Sequence, residues 1–241
     1  MTARRLRFIL TAPLLAIACC GPDTVTEPLP RATTPPPASK SKHDEQMMAD
    51  APTHTNSPSN SQGPAEETAT FGGGCFWCTE AVLEQLDGVI SVTSGYMGGD
   101  VDDPTYKQIC EGTTGHAEVV QVRFDPAVIS YEQLLEWFFR SHDPTTLNRQ
   151  GYDVGTQYRS AVFFHSEEQH QTATQLIMAI ASNWSDPIVT EVTEADTFWP
   201  AESYHQDYYR GNTQQGYCRA VILPKLQKLG LDVNGREAGK D

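Results

Sequence analysis

The sequence predicts an α+β domain, a two-layer sandwich in which helices pack against one small mixed sheet. Three observations lead there. Segments of alternating β-branched residues interleave with segments of helical apolar spacing. Several connections are longer than the tight loops of a regular βαβ repeat. Aromatic and β-branched residues concentrate between Thr68 and about Leu231, about 160 residues and enough for one packed core. No internal repeat is visible.

The elements follow in order. "ETATFGG" reads as a short strand leaving on a glycine-rich turn. "CFWCTEAVLEQLDG" carries Phe76, Val82, Leu83 and Leu86 at helical spacing, which predicts a helix running from Cys75 until Gly88. "VISVTSGY" is β-branched and predicts a strand. "AEVVQVRFDP" alternates, with Val120, Val122 and Phe124 on one face and Val119, Gln121 and Arg123 on the other. "SYEQLLEWFFRSHDP" opens on Ser130 as an N-cap and ends before Pro144, which predicts a helix. "QYRSAVFFH" predicts a strand. "SEEQHQTATQLIMAIASNW", with a serine cap and acids in its first turn, predicts a second long helix. "PIVTEV" predicts a last strand. The stretches 93–117 and 142–157, rich in Gly, Pro, Asp, His and Tyr, read as loops.

The region before this domain has another character. Arg4, Arg5 and Arg7 precede the apolar run "FILTAPLLAIACC", which is too short for a permanent span and is broken by Pro13. This is the pattern of a secretory signal over residues 1–19. Its end, Ala16-Ile17-Ala18-Cys19-Cys20, resembles a bacterial lipoprotein box, with Ala16 where leucine is usual. The expectation is a lipidated Cys19 as the sole link to a membrane, against the plainer alternative of a cleaved signal that contains cysteines. Residues 20–67 include "RATTPPPASKSK" and "APTHTNSPSNSQGP", a Pro/Ser/Thr-rich tether that cannot pack a core. The folded part is expected over 68–231, followed by a flexible tail at 232–241. Together these predict an exported domain anchored on the periplasmic side.

The net charge is −14. Residues 1–65 contribute +1 (six Lys/Arg against five Asp/Glu), so the rest carries −15. An acidic domain is a poor partner for a phosphate backbone, which argues against nucleic-acid binding.

Beyond Cys19 and Cys20 there are four cysteines: Cys75, Cys78, Cys110 and Cys218. In an exported protein an even set suggests structural disulfides, although a domain of this size does not need them. The segment "GGGCFWC" admits three further readings. As half of a zinc site it needs two more soft ligands, and Cys110, Cys218 and His116 are scattered, so no metal is expected. As a thioredoxin-like exchanger it has the right strand-to-helix position, where free amides and the helix dipole stabilise a thiolate. However, Phe76 and Trp77 fill the interior where small residues or proline are usual. As a nucleophile, Cys75 would be an exposed thiol at a helix start, with Phe76 and Trp77 as an apolar wall.

Other polar residues bear on the choice. Alternation places Glu118 on the face of Val120, Val122 and Phe124, where burial would raise its pKa and make it a proton donor near neutrality. Asp153 and Tyr158 lie in the loop leading to a core strand, and Tyr106 follows a proline turn. Phenols there could donate to an oxygen gaining negative charge. His205 lies in the aromatic stretch "FWPAESYHQDYY" as a base or a structural hydrogen-bonder.

In combination these motifs are specific. "GGGCFWCTEAVLEQLDGVISVTSGYMGG", "PTYKQICEGTTGHAEVVQVRFDP", "SYEQLLEWFFRSHDPTTLNRQGYDVGTQYRSAVFF" and "FWPAESYHQDYY" resemble the A-type peptide methionine sulfoxide reductases, in order from about Thr70 to Leu229. The resemblance implies a two-layer sandwich of ferredoxin-like type around a mixed sheet. It implies that Cys75 attacks the sulfur of methionine-S-sulfoxide and that Glu118 protonates the sulfoxide oxygen. Tyr106 and Tyr158 would bind that oxygen, and Asp153 would organise the site through water. Phe76 and Trp77 would cage the substrate methyl group, with His205 in support. In the commonest pattern of this family a glycine follows Phe-Trp and the resolving thiol lies near the C-terminus. Here Cys78 stands at that glycine's position, one helical turn from Cys75, and is the first choice as resolving thiol. Cys218 is the alternative resolver or a recycling thiol, and Cys110 is a bystander. The resemblance also implies a monomer that needs no cofactor. Its substrates would be oxidised proteins and peptides, and its electrons would come from thioredoxin or an exported thioredoxin-like dithiol.

Overall fold

A computed structural model describes residues 66–234. The expected signal, Cys19 and nearly all of the tether, together with residues 235–241 of the expected tail, lie outside the described residues.

The chain forms β1 (Glu67–Gly73), α1 (Phe76–Leu83), β2 (Val89–Met97), α2 (Tyr106–Cys110) and β3 (Ala117–Phe124). There follow α3 (Tyr131–Ser141), β4 (Arg149–Gln150), β5 (Asp153–Val154), β6 (Ser160–Phe164) and α4 (Glu167–Ile180). β7 (Glu191–Glu194), β8 (Trp199–Pro200), α5 (Tyr208–Asn212) and α6 (Leu223–Leu229) complete it. One six-stranded sheet has the order β7-β6-β1-β3-β2-β8, and β4 and β5 form a separate small ribbon. β1 and β3 are the two central strands of the six-stranded sheet and pair antiparallel, with Phe71 opposite Val120. The β6–β7 pair is parallel, so the sheet is mixed as expected.

Alternation along β3 divides the two faces. Val120, Val122 and Phe124 enter the main core with Val82 and Leu83 of α1 and Leu134, Leu135 and Phe138 of α3. Ala117 and Val119 face a smaller cluster with Met97, Ala161 and Phe163. Further along that second face the pattern turns polar, and Arg123 is exposed. Phe138 stacks on Phe71 at a ring-centroid distance of 5.0 Å, which ties α3 to the centre of the sheet. Burying a side chain of this size contributes about 1.5–3 kcal/mol.

Two expectations are corrected. α1 ends at Leu83, short of Gly88; Gln85 and Leu86 bond back three residues in a tighter turn, and Gly88 (φ 91°) closes it. The stretch 93–117 is not all loop. β2 continues to Met97 because its residues pair one by one with β3, as far as Met97 opposite Ala117. Residues 106–110 form a short helix, because Thr105 and Gln108 make a reciprocal capping box.

Candidate active site

The site begins where β1 runs out. Gly74 takes φ 88°, a left-handed conformation, and a Cβ there would lie 2.5 Å from Cβ of Gln150. Only glycine lets the chain turn so sharply beside that side chain. The turn places Cys75 at the N-cap of α1, where no side chain caps the helix and no acid lies in the first turn. The first amide of the helix, that of Phe76, donates instead to Glu118 Oε2 at 3.1 Å. The carboxyl of residue 118 is thereby tied to the amide that directly follows Cys75 in the chain.

Burial decides the state of that carboxyl. Glu118 is 1% exposed, and its Oε1 has no hydrogen-bond partner. Desolvation pushes its pKa up to about 8; the Phe76 amide opposes the shift, and the charges of Asp153 and Cys78 add to it. At neutral pH it is mostly protonated and can give up a proton.

Cys75 and Cys78 are 2% and 3% exposed, which corrects the expectation of an exposed thiol at 75. The cover comes from Tyr217, which precedes a π-helical turn over Cys218–Ile222. Its hydroxyl lies 3.8 Å from Cys78 Sγ and donates to Asp153 Oδ2 at 2.7 Å. Beside the thiols remains a cavity of about 290 Å³, lined among others by Cys75, Cys78, Gln150, Asp153, Tyr217 and Lys225. The Cys78 thiol is drawn down to about 7, chiefly by its hydrogen bond with Cys75 and against burial, with help from the Lys225 charge and the Tyr217 hydroxyl. Burial raises Asp153, with Tyr217 and Lys225 opposing.

Glu118, Phe76, Trp77, Tyr106 and Tyr158 do not line that cavity. Tyr158 is buried at the end of a 3₁₀ turn, Thr156–Tyr158, that leads into β6. The Tyr106 ring lies 4.3 Å from that of His205, and its amide donates to Glu202 Oε1 at 2.9 Å. The Trp77 indole stacks on Tyr208 at 3.7 Å and gives its Nε1–H to His205 Nδ1 at 3.2 Å. His205 therefore carries its own proton on Nε2, and burial lowers its pKa to about 4. It is a neutral buttress of the aromatic group rather than a base. Cys218 is fully buried, and desolvation raises its thiol to about 11. Cys110 is half-buried at the end of α2.

Comparison with known proteins decides the family. The model of the peptide methionine sulfoxide reductase family matches residues 67–236. The chain belongs to this family. A peptide methionine sulfoxide reductase of Haloquadratum walsbyi is 58% identical over 163 residues, covering 68% of this chain and 94% of its own. One of Deinococcus radiodurans is 56% identical over 177 residues, covering 73% and 86%. Two solved structures share the fold at a TM-score of 0.61. They are reduced Mxr1 of Saccharomyces cerevisiae (37% identity, 64% of this chain and 89% of that one) and methionine sulfoxide reductase A of Corynebacterium diphtheriae (34%, 66% and 80%). The chain is thus an enzyme, a peptide methionine sulfoxide reductase with the α+β fold of that family. Among its described residues no group of His, Cys, Asp and Glu could hold a metal ion.

Two residues of this reductase escaped sequence reasoning. Tyr217 comes from about 140 residues beyond the thiols, as the 139-residue separation from Cys78 shows. Its only signal was an aromatic beside a cysteine in "QQGYCRAVILPK". Glu80 was hidden inside α1. It is 2% exposed, accepts from Ser94 Oγ and from the Asp207 and Tyr208 amides, each at 3.2 Å, and is pushed up to about 7 by burial. This clasp holds the left-handed turn at Asp207 (φ 50°) and sets Tyr208 over Trp77. Its helical spacing with Phe76 and Leu83 was the available signal.

Proposed function

We propose that this chain reduces the S epimer of methionine sulfoxide in peptides and proteins, with Cys75 as nucleophile and Glu118 as proton donor. Sulfoxide sulfur becomes electrophilic only when its oxygen is protonated or strongly hydrogen-bonded. The Cys75 thiolate attacks that sulfur while Glu118 delivers one proton to the oxygen. The S–O bond of the substrate breaks and the oxygen passes to Cys75, leaving methionine and a sulfenic acid. The family resemblance gives Tyr106 and Tyr158 the role of steadying the oxygen and Phe76 and Trp77 that of caging the methyl group, although these four lie outside the cavity that Cys75 lines; Asp153, in that lining, orders the surrounding polar groups.

The Cys78 sulfur then attacks the sulfenic sulfur, a disulfide forms and water leaves. Cys218 takes over that disulfide or serves as a second resolver. A thioredoxin-like dithiol restores the two thiols and supplies the two electrons of each cycle, so no metal or organic cofactor enters. The protein acts as an exported monomer, tethered at Cys19; release by detergent but not by salt, together with a lipid-modified N-terminal peptide in mass spectrometry, is the expected result.

The observation that carries the reading is the hydrogen bond from the Phe76 amide, next in the chain to Cys75, to buried Glu118 at 3.1 Å. The test is turnover of both sulfoxide epimers of a methionine peptide with dithiothreitol. The S epimer alone should be consumed, and Cys75→Ser should be inert. Reduction or oxidation of insulin without sulfoxide turnover would replace this reading with general disulfide exchange.

A further inference from the structure

The wall of the thiol cavity contains a cation that the chemistry above leaves idle. Lys225 stands in the first turn of α6 and lines the cavity of about 290 Å³ with Cys75, Cys78, Asp153 and Tyr217. It is the single cation among the described residues that line it. The segment that carries it is continuous with the one that carries Tyr217, so cover and cation arrive on one piece of chain.

We propose that Lys225 is a positioning residue for the resolving step, its ammonium holding the Cys78 thiol as the anion that attacks oxidised Cys75. The inference rests on the reading of Cys78 as resolver. In this step the Cys78 S⁻ attacks the sulfenic sulfur, the S–S bond forms and the S–O bond breaks. Hydroxide leaves and takes up the equivalent of the proton that Cys78 had released, giving water. The disulfide is two electrons short of the dithiol, the pair having reduced the sulfoxide sulfur to a thioether, until an external dithiol supplies two electrons.

The surroundings of Cys78 explain why a cation matters. Cys75 and Tyr217 offer hydrogen bonds to its anion, and Lys225 attracts it. Asp153 repels it, and Glu118 and Cys218 are charge neighbours whose own ionisation it opposes. When Cys75 becomes a sulfenic acid, the hydrogen bond that does most for the anion is altered. The Lys225 charge is unaffected by that oxidation and persists through the resolving step. The same charge favours the ionised form of Asp153 and the neutral form of His142, so it acts across the whole wall.

The experiment uses the full reduced protein with Lys225→Met, Lys225→Gln and Lys225→Arg. The pH midpoint of Cys78 alkylation by iodoacetamide is read at fragment level by mass spectrometry. Rapid-quench formation of the Cys75–Cys78 bridge after one sulfoxide turnover is followed in parallel, and circular dichroism identifies the folded variants. Loss of the charge should raise the midpoint by about half to one pH unit, reducing thiolate at pH 7 about two- to fivefold. Bridge formation should slow by a similar factor and by more than the first sulfoxide turnover does, and arginine should restore both the midpoint and the bridge rate. An unchanged midpoint in a folded Met or Gln variant overturns the role of Lys225. Absence of any Cys75–Cys78 bridge in the unaltered protein overturns the underlying reading instead, and the inference with it.

Discussion

Helices α1 and α3 begin in opposite ways. α3 starts from Ser130, whose hydroxyl accepts the Gln133 amide at 3.2 Å while the Gln133 side chain accepts the Ser130 amide at 2.9 Å. Glu132 adds a favourable charge to its first turn. α1 starts from Cys75 after a left-handed glycine, with no side-chain cap and no acid in its first turn. One helix start is arranged for stability. The other has a cysteine as N-cap and gives its first amide to a buried carboxyl, and such departures from local rules mark functional sites.

The contrast is broken most severely at Cys75. Cys75→Ser should leave no measurable turnover of the S sulfoxide. It should also raise stability by up to about 1 kcal/mol in urea unfolding, since serine is a good N-cap and cysteine is not. A variant both inert and less stable would contradict the view that this helix start gives up stability for chemistry.

Glu118→Gln comes next. At pH 7 its kcat/KM should fall about 10²–10⁴-fold, the usual contribution of a general acid. Its stability should move the other way, and the sign follows from linkage. The carboxyl titrates at about 8 when folded against a reference of 4.5. Its favourable contribution to the native state is therefore complete below about 4.5 and is lost as pH rises through about 8. The uncharged amide of the variant has no such penalty, so melting curves of the variant and the unaltered protein should separate in the variant's favour between pH 5 and 8 and run parallel above.

Gly74→Ala should cost about 1–3 kcal/mol, because it forces a Cβ onto φ 88° and against Gln150. Gln150 accepts the Asp143 amide at 3.1 Å and donates to the Asp143 carbonyl at 3.0 Å, so its displacement also loosens one wall of the site. Denaturant midpoint and KM should both shift. Ser130→Ala closes the series with the smallest effect. It should cost about 1 kcal/mol, or about 2–4 °C in Tm, with kcat/KM unchanged.

The same contrast explains what could be read from the chain alone. α3 and α4 were visible because serine caps, acidic first turns and apolar stripes agree with one another. β3 was visible because its alternation matches a core divided between two faces, and β1 because it leaves on a glycine-rich turn. α2 was missed because its capping box lies in a stretch whose Gly, Pro and Asp content reads as loop. Within the site, the buried side of Glu118 followed from period-two alternation. Tyr217 did not, because it reaches the thiols through tertiary folding with no local pattern to betray it. Cys75 was expected in the open for the same reason, as the segment that covers it was out of view. Residues 1–65 lie outside the described structure, so the tether and Cys19 remain readings of composition and motif.

The most direct test follows the first chemical step alone. Single-turnover release of methionine from a sulfoxide peptide is measured from pH 5 to 10, in the unaltered protein and in Glu118→Gln. A protonated Glu118 opposite the Cys75 thiolate predicts a rate that falls on the alkaline side with a midpoint near 8, the pKa set by burial, and a slow variant that lacks this limb. An alkaline limb of the same midpoint and amplitude in both proteins would show that the proton comes from elsewhere and contradict the account.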